Sequence, residues 1–232
     1  MKERTSVGIR KEIIRSILEG TCRIHESLLP ERELATRFDV GRPTVREALQ
    51  RLERDGWITI RKGQPAIVND YWKQGNLMTI ANILEQHEDI PDDFISHMLE
   101  LRISLTPAYT KDAINHHRLR VISLFVDVEE LKDDAESYAD FDWHLQLGTA
   151  ELCSNPIYLL ILNSFKNIYS KMAVKYFSDP EHRQASRSYY DELLKAVLKG
   201  DPEEAENAAK AMMKKSLSLW KRNMNGEDEY EK

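Results

Sequence analysis

The segment 42–55 predicts a helix with the side chains needed to read DNA on one of its faces. The polar face carries Arg42, Thr44, Arg46 and Gln50, and the opposite face carries Val45, Leu49 and Leu52. A helix that lies in the major groove needs this division, because apolar residues dock it while Arg and Thr near its N-terminal end reach bases and phosphates. Taken alone, such a face could also be a solvated surface of a small helical bundle.

The segments around this helix predict the elements that would position it. Apolar stripes predict helices over residues 7–20 and 31–38, and Pro43 fits the first turn of the helix over 42–55. Residues 57–60 and 66–68 are typical of two strands joined by a turn at 61–65. Three helices followed by a two-stranded hairpin give the element order of a winged helix-turn-helix. Lys62 and Gly63 fall at the tip of the wing, where a glycine lets the backbone approach a sugar-phosphate strand.

The charge distribution agrees with a DNA-binding head. Residues 1–72 contain 14 Lys/Arg and 11 Asp/Glu, a net charge of +3, whereas residues 73–232 carry a net charge of −9. A basic head on an acidic body is the asymmetry expected when only the head meets a polyanion. The signal is weak by itself, because +3 is a small excess.

The remainder of the 232-residue chain predicts a second, all-helical domain. Between residues 76 and 199 only Gly148 appears, so helix breakers are scarce. We expect a mainly α protein: a winged helix-turn-helix domain over 1–72, a helical bundle over 73–228 that binds an effector and is associated with dimerisation, and a frayed tail over 229–232. Helices are predicted over 73–88, 91–116, 118–133, 136–153, 156–177, 180–199 and 201–223.

Several classes of protein are disfavoured by what the sequence lacks. There is no run of 18 apolar residues and no apolar segment after the charged N-terminus, so we expect a cytoplasmic protein without a membrane role. Cys22 and Cys153 lack metal-ligand spacing and indicate reduced thiols. Glycine-rich phosphate loops, nucleophile elbows and His-Glu-x-x-His motifs are absent from the sequence, and we therefore predict no enzyme activity and no catalytic residues.

One stretch carries a family resemblance. The residues ERELATRFDVGRPTVREALQRLERDGWITIRKGQPAIVNDYW resemble the DNA-binding domain of the GntR superfamily of bacterial regulators. Within it, REALQRLERDGWITI followed by a Gly-x-Pro wing is similar to the FadR subgroup of fatty-acid metabolism regulators. The similarity continues through almost the whole chain, most clearly in SNPIYLLILNSFKNIYSKMAVKYFSDPE and more weakly in SLSLWKR.

The resemblance implies which residues contact DNA. Arg32, Arg42 and Arg46 are then the main contacts, with Thr44, Lys62 and Gly63 supporting them. The chain departs from the usual Leu-Pro-Ser/Ala-Glu-Arg pattern before the second helix, because it reads Leu28-Leu29-Pro30-Glu31-Arg32. The proline is displaced by one position, which leaves Arg32 in register.

The resemblance also leaves two kinds of effector site to be separated. Many relatives hold a divalent metal with Asp-x3-His and two later histidines, and the metal grips a small organic acid. Here those positions fall at Asp142, Gln146, Tyr190 and Met212. Gln, Tyr and Met are poor replacements for imidazole, so we predict no metal and no cofactor. A relocated metal site that uses His144 is the alternative.

The second kind of site is the acyl-CoA site of the fatty-acid regulators. Carried over by position, its ligand-contacting residues correspond to Arg102, Tyr169, Tyr176, Ser216 and Trp220. Arg102 could pair with CoA phosphates, and Trp220 could cover adenine or pantetheine. Met212 and Met213 replace Tyr and Gly of the regulators, so a close backbone contact could be lost, although Met side chains could line an acyl tunnel.

The function implied is that of a homodimeric regulator of fatty-acid metabolism. It would bind a palindromic DNA operator, and a long-chain acyl-CoA would release it. The alternatives are a GntR regulator that responds to a metal-bound small organic acid and an acyl-CoA thioester hydrolase.

Overall fold

A computed structural model describes residues 5–87 and 90–227. The chain divides into two compact units after residue 88. This division lies further along the chain than the boundary expected near residue 72. The predicted tail over 229–232 lies outside the described residues.

The N-terminal unit is a three-helix core with a two-stranded wing. Its first helices are α1 (Ser6–Leu18), α2 (Glu31–Phe38) and α3 (Arg42–Arg54). Strands β1 (Ile58–Thr59) and β2 (Ile67–Val68) pair antiparallel, with Ile58 opposite Val68, and an isolated bridge adds Ser27 beside Ile67. The predicted winged helix-turn-helix is therefore confirmed.

The helices of this unit bury their apolar stripes against one another. The fully buried side chains include Ile9 and Ile14 of α1, Val45 and Leu52 of α3, and Trp57. Thr5 begins α1 by accepting a hydrogen bond from the Gly8 N–H at 3.1 Å. Burial of this cluster fixes α3 by its apolar face and leaves its polar face outward.

The prediction of one helix over 73–88 is wrong. The structure has two shorter helices, α4 (Tyr71–Gln74) and α5 (Leu77–Leu84), with Gly75 and Asn76 between them. Asn76 starts α5 by accepting from the Met78 N–H, and Thr79 Oγ1 accepts from the Asn76 N–H. This reciprocal cap starts a new helix at Leu77, although the apolar periodicity predicts one continuous helix through this position.

The C-terminal unit is all helical. Its elements are α6 (Asp92–Ser123), a 3-10 turn at Val128–Glu130, α7 (Ala135–Glu151), α8 (Ile157–Phe177), α9 (Pro180–Lys199) and α10 (Pro202–Glu227). Helix α6 packs along α10 and α7 packs along α8. No described helix is both long and apolar enough to cross a bilayer.

The predicted helix over 118–133 is also wrong for most of its length. The expected break near residue 117 is present as a kink within α6, where His117 has φ −139° and ψ 34°. Beyond Ser123, the chain turns so that Phe125 and Val128 are buried. Leu124 occupies the space beside Gly148, where a Cβ would lie 2.6 Å from its methyl group. Long-range packing therefore ended this helix.

Candidate DNA interface and effector pocket

Helix α3 presents the predicted reading face to solvent. Arg42, Arg46 and Gln50 are exposed and Thr44 is half-buried, whereas Val45 and Leu49 lie in the core. Arg32 is also exposed, near the start of α2. The structure therefore leaves these side chains available to DNA, and their individual contacts stay predictions.

Arg46 is held by a carboxylate of the neighbouring helix. Its Nη2 and Nε atoms donate to the two carboxylate oxygens of Glu31, at 2.8 and 3.3 Å. The hydrogen bond from Arg46 holds the pKa of Glu31 below its ordinary value. A guanidinium held by two hydrogen bonds has a defined orientation, so Glu31 sets the orientation of the exposed Arg46 side chain. Sequence reasoning did not identify Glu31 as a functional residue.

The wing and the reading helix enclose an open cleft of about 550 Å³. Arg46, Lys62 and Gly63 all line it, whereas Arg32, Arg42 and Thr44 do not. Gly63 has φ +75° with nothing near its Cβ position, so glycine is favoured there by the backbone conformation and not by crowding. Three cationic side chains, Arg46, Arg61 and Lys62, line the cleft beside the carboxylate of Glu31, so the cleft is suitable for a polyanionic backbone.

The C-terminal unit contains an apolar cavity between α6, α7 and α8. Its volume is about 60 Å³. Three of the predicted effector residues, Arg102, Tyr169 and Tyr176, line it. The other lining residues are mainly apolar: Leu99, Leu105, Ile161, Leu162, Phe165, Met172 and Phe177, among others.

A buried polar network centred on Asp142 contributes Arg102, Gln146 and Tyr169 to the wall of this cavity. The Asp142 carboxylate accepts from Arg102 Nη2 at 3.0 Å, from the Tyr190 hydroxyl at 3.2 Å and from the Tyr169 hydroxyl. Gln146 Nε2 lies 3.4 Å from its Oδ1 atom. Burial and the Asp142 charge raise the pKa of Tyr169 and of Tyr190 well above the ordinary value. Burial lowers the pKa of Arg102, but Asp142 and the surrounding tyrosines together raise it by more, so the guanidinium stays charged.

This network occupies the positions at which metal-binding relatives would place their ligands. Asp142, Gln146 and Tyr190 converge, but the only carboxylate among them already accepts from Arg102 and two tyrosines. Among the described residues, no group of three His, Cys, Asp or Glu side chains could hold a metal ion. His144 is exposed while Asp142 is 3% exposed, so the two side chains do not converge. The donor set does not suit a divalent cation.

A second, polar pocket of about 410 Å³ adjoins the apolar cavity. Tyr176 lines both of them, and Trp220, Lys175, Asp179 and Asn223 line the polar pocket. The Trp220 indole N–H donates to the Asp92 carbonyl at 3.2 Å, and its ring lies 6.2 Å from that of Tyr176. Trp220 is thus a packed side chain, 7% exposed, that forms part of the pocket wall.

Two buried neighbours fix Tyr176 between the pockets. Its ring stacks on that of His182 at 4.3 Å, and His182 Nδ1 lies 2.7 Å from the Tyr176 carbonyl. Burial raises the pKa of Tyr176 to about 12, although the nearby Ser216 hydroxyl offsets part of the effect of burial. In the described part of the chain, the Tyr176 hydroxyl is buried without a hydrogen bond of normal geometry. No sequence pattern pointed to His182, because a lone buried histidine has no distinctive spacing.

Comparison with known proteins agrees with both halves of this architecture. Residues 5–68 match the family model described as "Bacterial regulatory proteins, gntR family", and residues 69–228 match that of the "FadR C-terminal domain". The chain belongs to the GntR family. Its C-terminal unit is of the FadR type, and the resemblance found in the sequence is confirmed.

Curated GntR relatives cover most of the chain. A "Fatty acid metabolism regulator protein" of Shewanella halifaxensis is 39% identical over 188 residues, which are 81% of this chain and 79% of that protein. A protein of the same name from Haemophilus influenzae is 29% identical over 222 residues, 95% and 92% of the two chains. The solved structure of Lar from Listeria monocytogenes shares the fold, with a TM-score of 0.60, 18% identity and coverage of 94% and 96%.

Proposed function

We propose that this GntR protein regulates fatty-acid metabolism by binding a palindromic DNA operator as a homodimer, and that a long-chain acyl-CoA releases it. The names of the similar Shewanella and Haemophilus proteins support the metabolic role. The exposed basic face of α3 and the cationic cleft beside the wing support DNA binding. A protein that acts on DNA in this way works in the cytoplasm.

The observation that carries the effector assignment is that Tyr176 lines both an apolar cavity and a polar pocket. An acyl-CoA has the matching division, since an apolar chain is joined through a thioester to the amide-bearing pantetheine. The polar pocket offers amide, ammonium and carboxylate groups from Asn223, Lys175, Asp92 and Asp179. Their mixed charge suits neutral amides better than phosphates, so the CoA phosphates lie outside this pocket.

This arrangement changes the role expected for Arg102. We expected it to pair with CoA phosphates, but its guanidinium is engaged by Asp142 at the wall of the apolar cavity. A phosphate contact would require this largely buried pair to break. In the proposal, Arg102 shapes the acyl end of the site and Trp220 shapes the polar end. Ser216 is buried beside Tyr176 and lines neither pocket.

The small apolar cavity suggests how a ligand could change the protein. A cavity of about 60 Å³ is well below the roughly 150 Å³ that admits benzene in an engineered protein. A long acyl chain therefore displaces side chains of α6 and α8 as it enters. Release of DNA requires that the ligand bind the DNA-incompetent arrangement better than the competent one, since equal affinity shifts nothing.

Titration of acyl-CoA into a preformed protein–operator complex tests the effector. Long-chain acyl-CoA should dissociate the complex, and the free fatty acid should act far less. Survival of the complex at saturating acyl-CoA, or its dissociation by a divalent metal with a short carboxylic acid, would contradict the assignment and favour the metal-dependent alternative. Recovery of the acyl-CoA with its thioester intact after the titration indicates binding alone, whereas its cleavage would favour the thioester hydrolase.

Measurement of the mass of the DNA complex in solution tests the dimer. Groove-reading helix-turn-helix proteins match two-fold protein symmetry to two-fold DNA symmetry. We expect two chains per operator and much weaker binding to a half-site. One chain per complex, or equally tight half-site binding, would rule out the proposed dimer.

A further inference from the structure

Asp55 is an ionisable residue that is completely buried at the C-terminal end of the reading helix. Its exposed fraction is 0%. Its carboxylate lies 3.0 Å from Arg54 Nε and 3.6 Å from Arg10 Nη1 of α1. A buried carboxylate is costly unless its oxygens are satisfied, so the groups that surround Asp55 are constrained by it.

Helix α5 supplies the remaining partners of Asp55. The Asn82 side-chain amide donates to Asp55 Oδ2 at 3.0 Å, and the Thr79 hydroxyl donates to the Asp55 carbonyl at 2.6 Å. Asn82 and Thr79 are themselves 1% and 3% exposed. We call Asp55, Thr79 and Asn82 the Asp55 joint. Through it, α5 satisfies polar groups at the end of α3 that solvent would otherwise satisfy.

The backbones next to the joint are in direct contact. Gly56 has φ +84°, and a Cβ on it would lie 2.7 Å from Gly75 Cα and 2.8 Å from the Gln74 carbonyl oxygen. The Asn76 side-chain amide also donates to the Arg54 carbonyl at 3.0 Å. No side chain separates the end of α3 from the turn before α5, so little relative movement is possible without breaking buried hydrogen bonds.

We propose that the Asp55 joint makes α3 and α5 move together, so that the position of α5 sets the orientation of the reading helix. Helix α5 is the last helix before the chain passes into the C-terminal unit. Asp55, Thr79 and Asn82 are thus positioning residues for operator recognition, acting through α3. The inference that the effector uses this coupling rests on the proposed function. The coupling between α3 and α5 itself is independent of the proposed function.

Amide hydrogen exchange of the full chain, with and without operator, tests the joint. Operator binding should slow exchange in α5 as well as in α3 of the wild type. Asn82→Ala and Thr79→Val should keep the protection of α3 and lose that of α5. Thr79→Ser, which retains the hydroxyl, should restore it, and Met78→Ala, at an exposed position of α5, should behave as wild type.

The outcomes are separable. Absence of operator-induced protection of α5 in the wild type, or its persistence in Asn82→Ala, overturns the joint. Circular dichroism and the retained α3 protection show that a variant is folded. In the same samples, saturating acyl-CoA should weaken operator binding by at least about tenfold in the wild type and by far less in Asn82→Ala. A wild type with α5 protection but no acyl-CoA response would contradict the effector assignment and leave the joint standing.

Discussion

Arg102 donates from Nη2 to the Asp142 carboxylate at 3.0 Å, pairing a residue of α6 with one of α7 inside the C-terminal unit. The carboxylate side chain is 4% exposed and the arginine side chain 19% exposed. The pair therefore connects two helices that both line the proposed acyl cavity.

We predict that Arg102→Met will destabilise the C-terminal unit by about 3–5 kcal/mol, because Asp142 would be left buried without its cation. Urea unfolding followed by circular dichroism measures the loss. Lys221→Met is the control, since its ion pair with Glu100 is about half exposed and should contribute at most about 1 kcal/mol. Equal effects of the two substitutions would show that the buried pair has no special role.

Arg32→Ala and Arg42→Ala should reduce discrimination between operator and random DNA. A bidentate contact from arginine to guanine contributes about 1–3 kcal/mol of base discrimination. Lys62→Ala should instead weaken binding to both DNAs and reduce the salt slope by roughly one unit, as a phosphate contact does. Affinity titrations over a salt series separate the two classes, with Arg15→Ala on α1 as a charge-matched control. If both arginine variants lose affinity equally for both DNAs, they contact phosphates.

Glu31→Gln should raise affinity for random DNA and lower the preference for operator. The substitution removes a negative charge beside the cleft and frees Arg46 from its two-point contact, so its guanidinium can pair with phosphates in many directions. Competition of labelled operator with random duplex measures the ratio. Glu33→Gln removes the same charge from the exposed surface of the same helix and should leave the ratio closer to that of the wild type. An unchanged ratio in Glu31→Gln would mean that Arg46 needs no orientation.

Trp220→Ala should still bind operator yet respond poorly to acyl-CoA. The indole forms part of the polar pocket and donates to the Asp92 carbonyl, so its loss opens that wall without altering the N-terminal unit. Fluorescence anisotropy of labelled operator during acyl-CoA titration gives both quantities. Leu219→Ala, which removes an adjacent buried side chain, controls for a general loss of packing. A normal acyl-CoA response in Trp220→Ala would remove this residue from the site.

Stability should fall at alkaline pH in part through Tyr176. Burial raises its pKa from 10.0 to about 12, so the unfolded state releases this proton first. Its contribution is therefore complete below pH 10 and is lost as the pH rises from 10 to about 12, with a slope of about 1.4 kcal/mol per pH unit. Denaturant unfolding at several pH values should show a shallower decline in Tyr176→Phe. Parallel curves for the two proteins would show that Tyr176 ionises normally.

Local sequence signals predicted helix boundaries well where they were strong. The helix predicted over 180–199 coincides with α9, because Asp179 caps its start and Gly200, with φ +74°, ends it. The helix predicted over 156–177 corresponds to α8. Its predicted first residue lies one position before the observed one, Ile157, and its last residue, Phe177, is correct. These features depend on neighbours within one turn, which the sequence contains directly.

The predictions failed where distant residues decided the outcome. The helix over 118–133 ends at Ser123 because Phe125 and Val128 turn into the core and the Arg187 guanidinium donates to the Val128 carbonyl. Arg187 belongs to α9 and lies 59 positions further along the chain than Val128. Apolar periodicity alone continues to favour a helix there.

The sequence by itself determined the winged head, the polar face of α3 and the helical character of the remainder, because each depends on side-chain spacing along one element. Only the tertiary structure decided that Arg102 faces Asp142, that Tyr176 lines two pockets and that Asp55 meets Asn82. Arg102 and Asp142 are 40 positions apart in the chain, and Asp55 and Asn82 are 27 positions apart. Periodicity states which face of a helix is buried, but it carries no information about which helix covers that face.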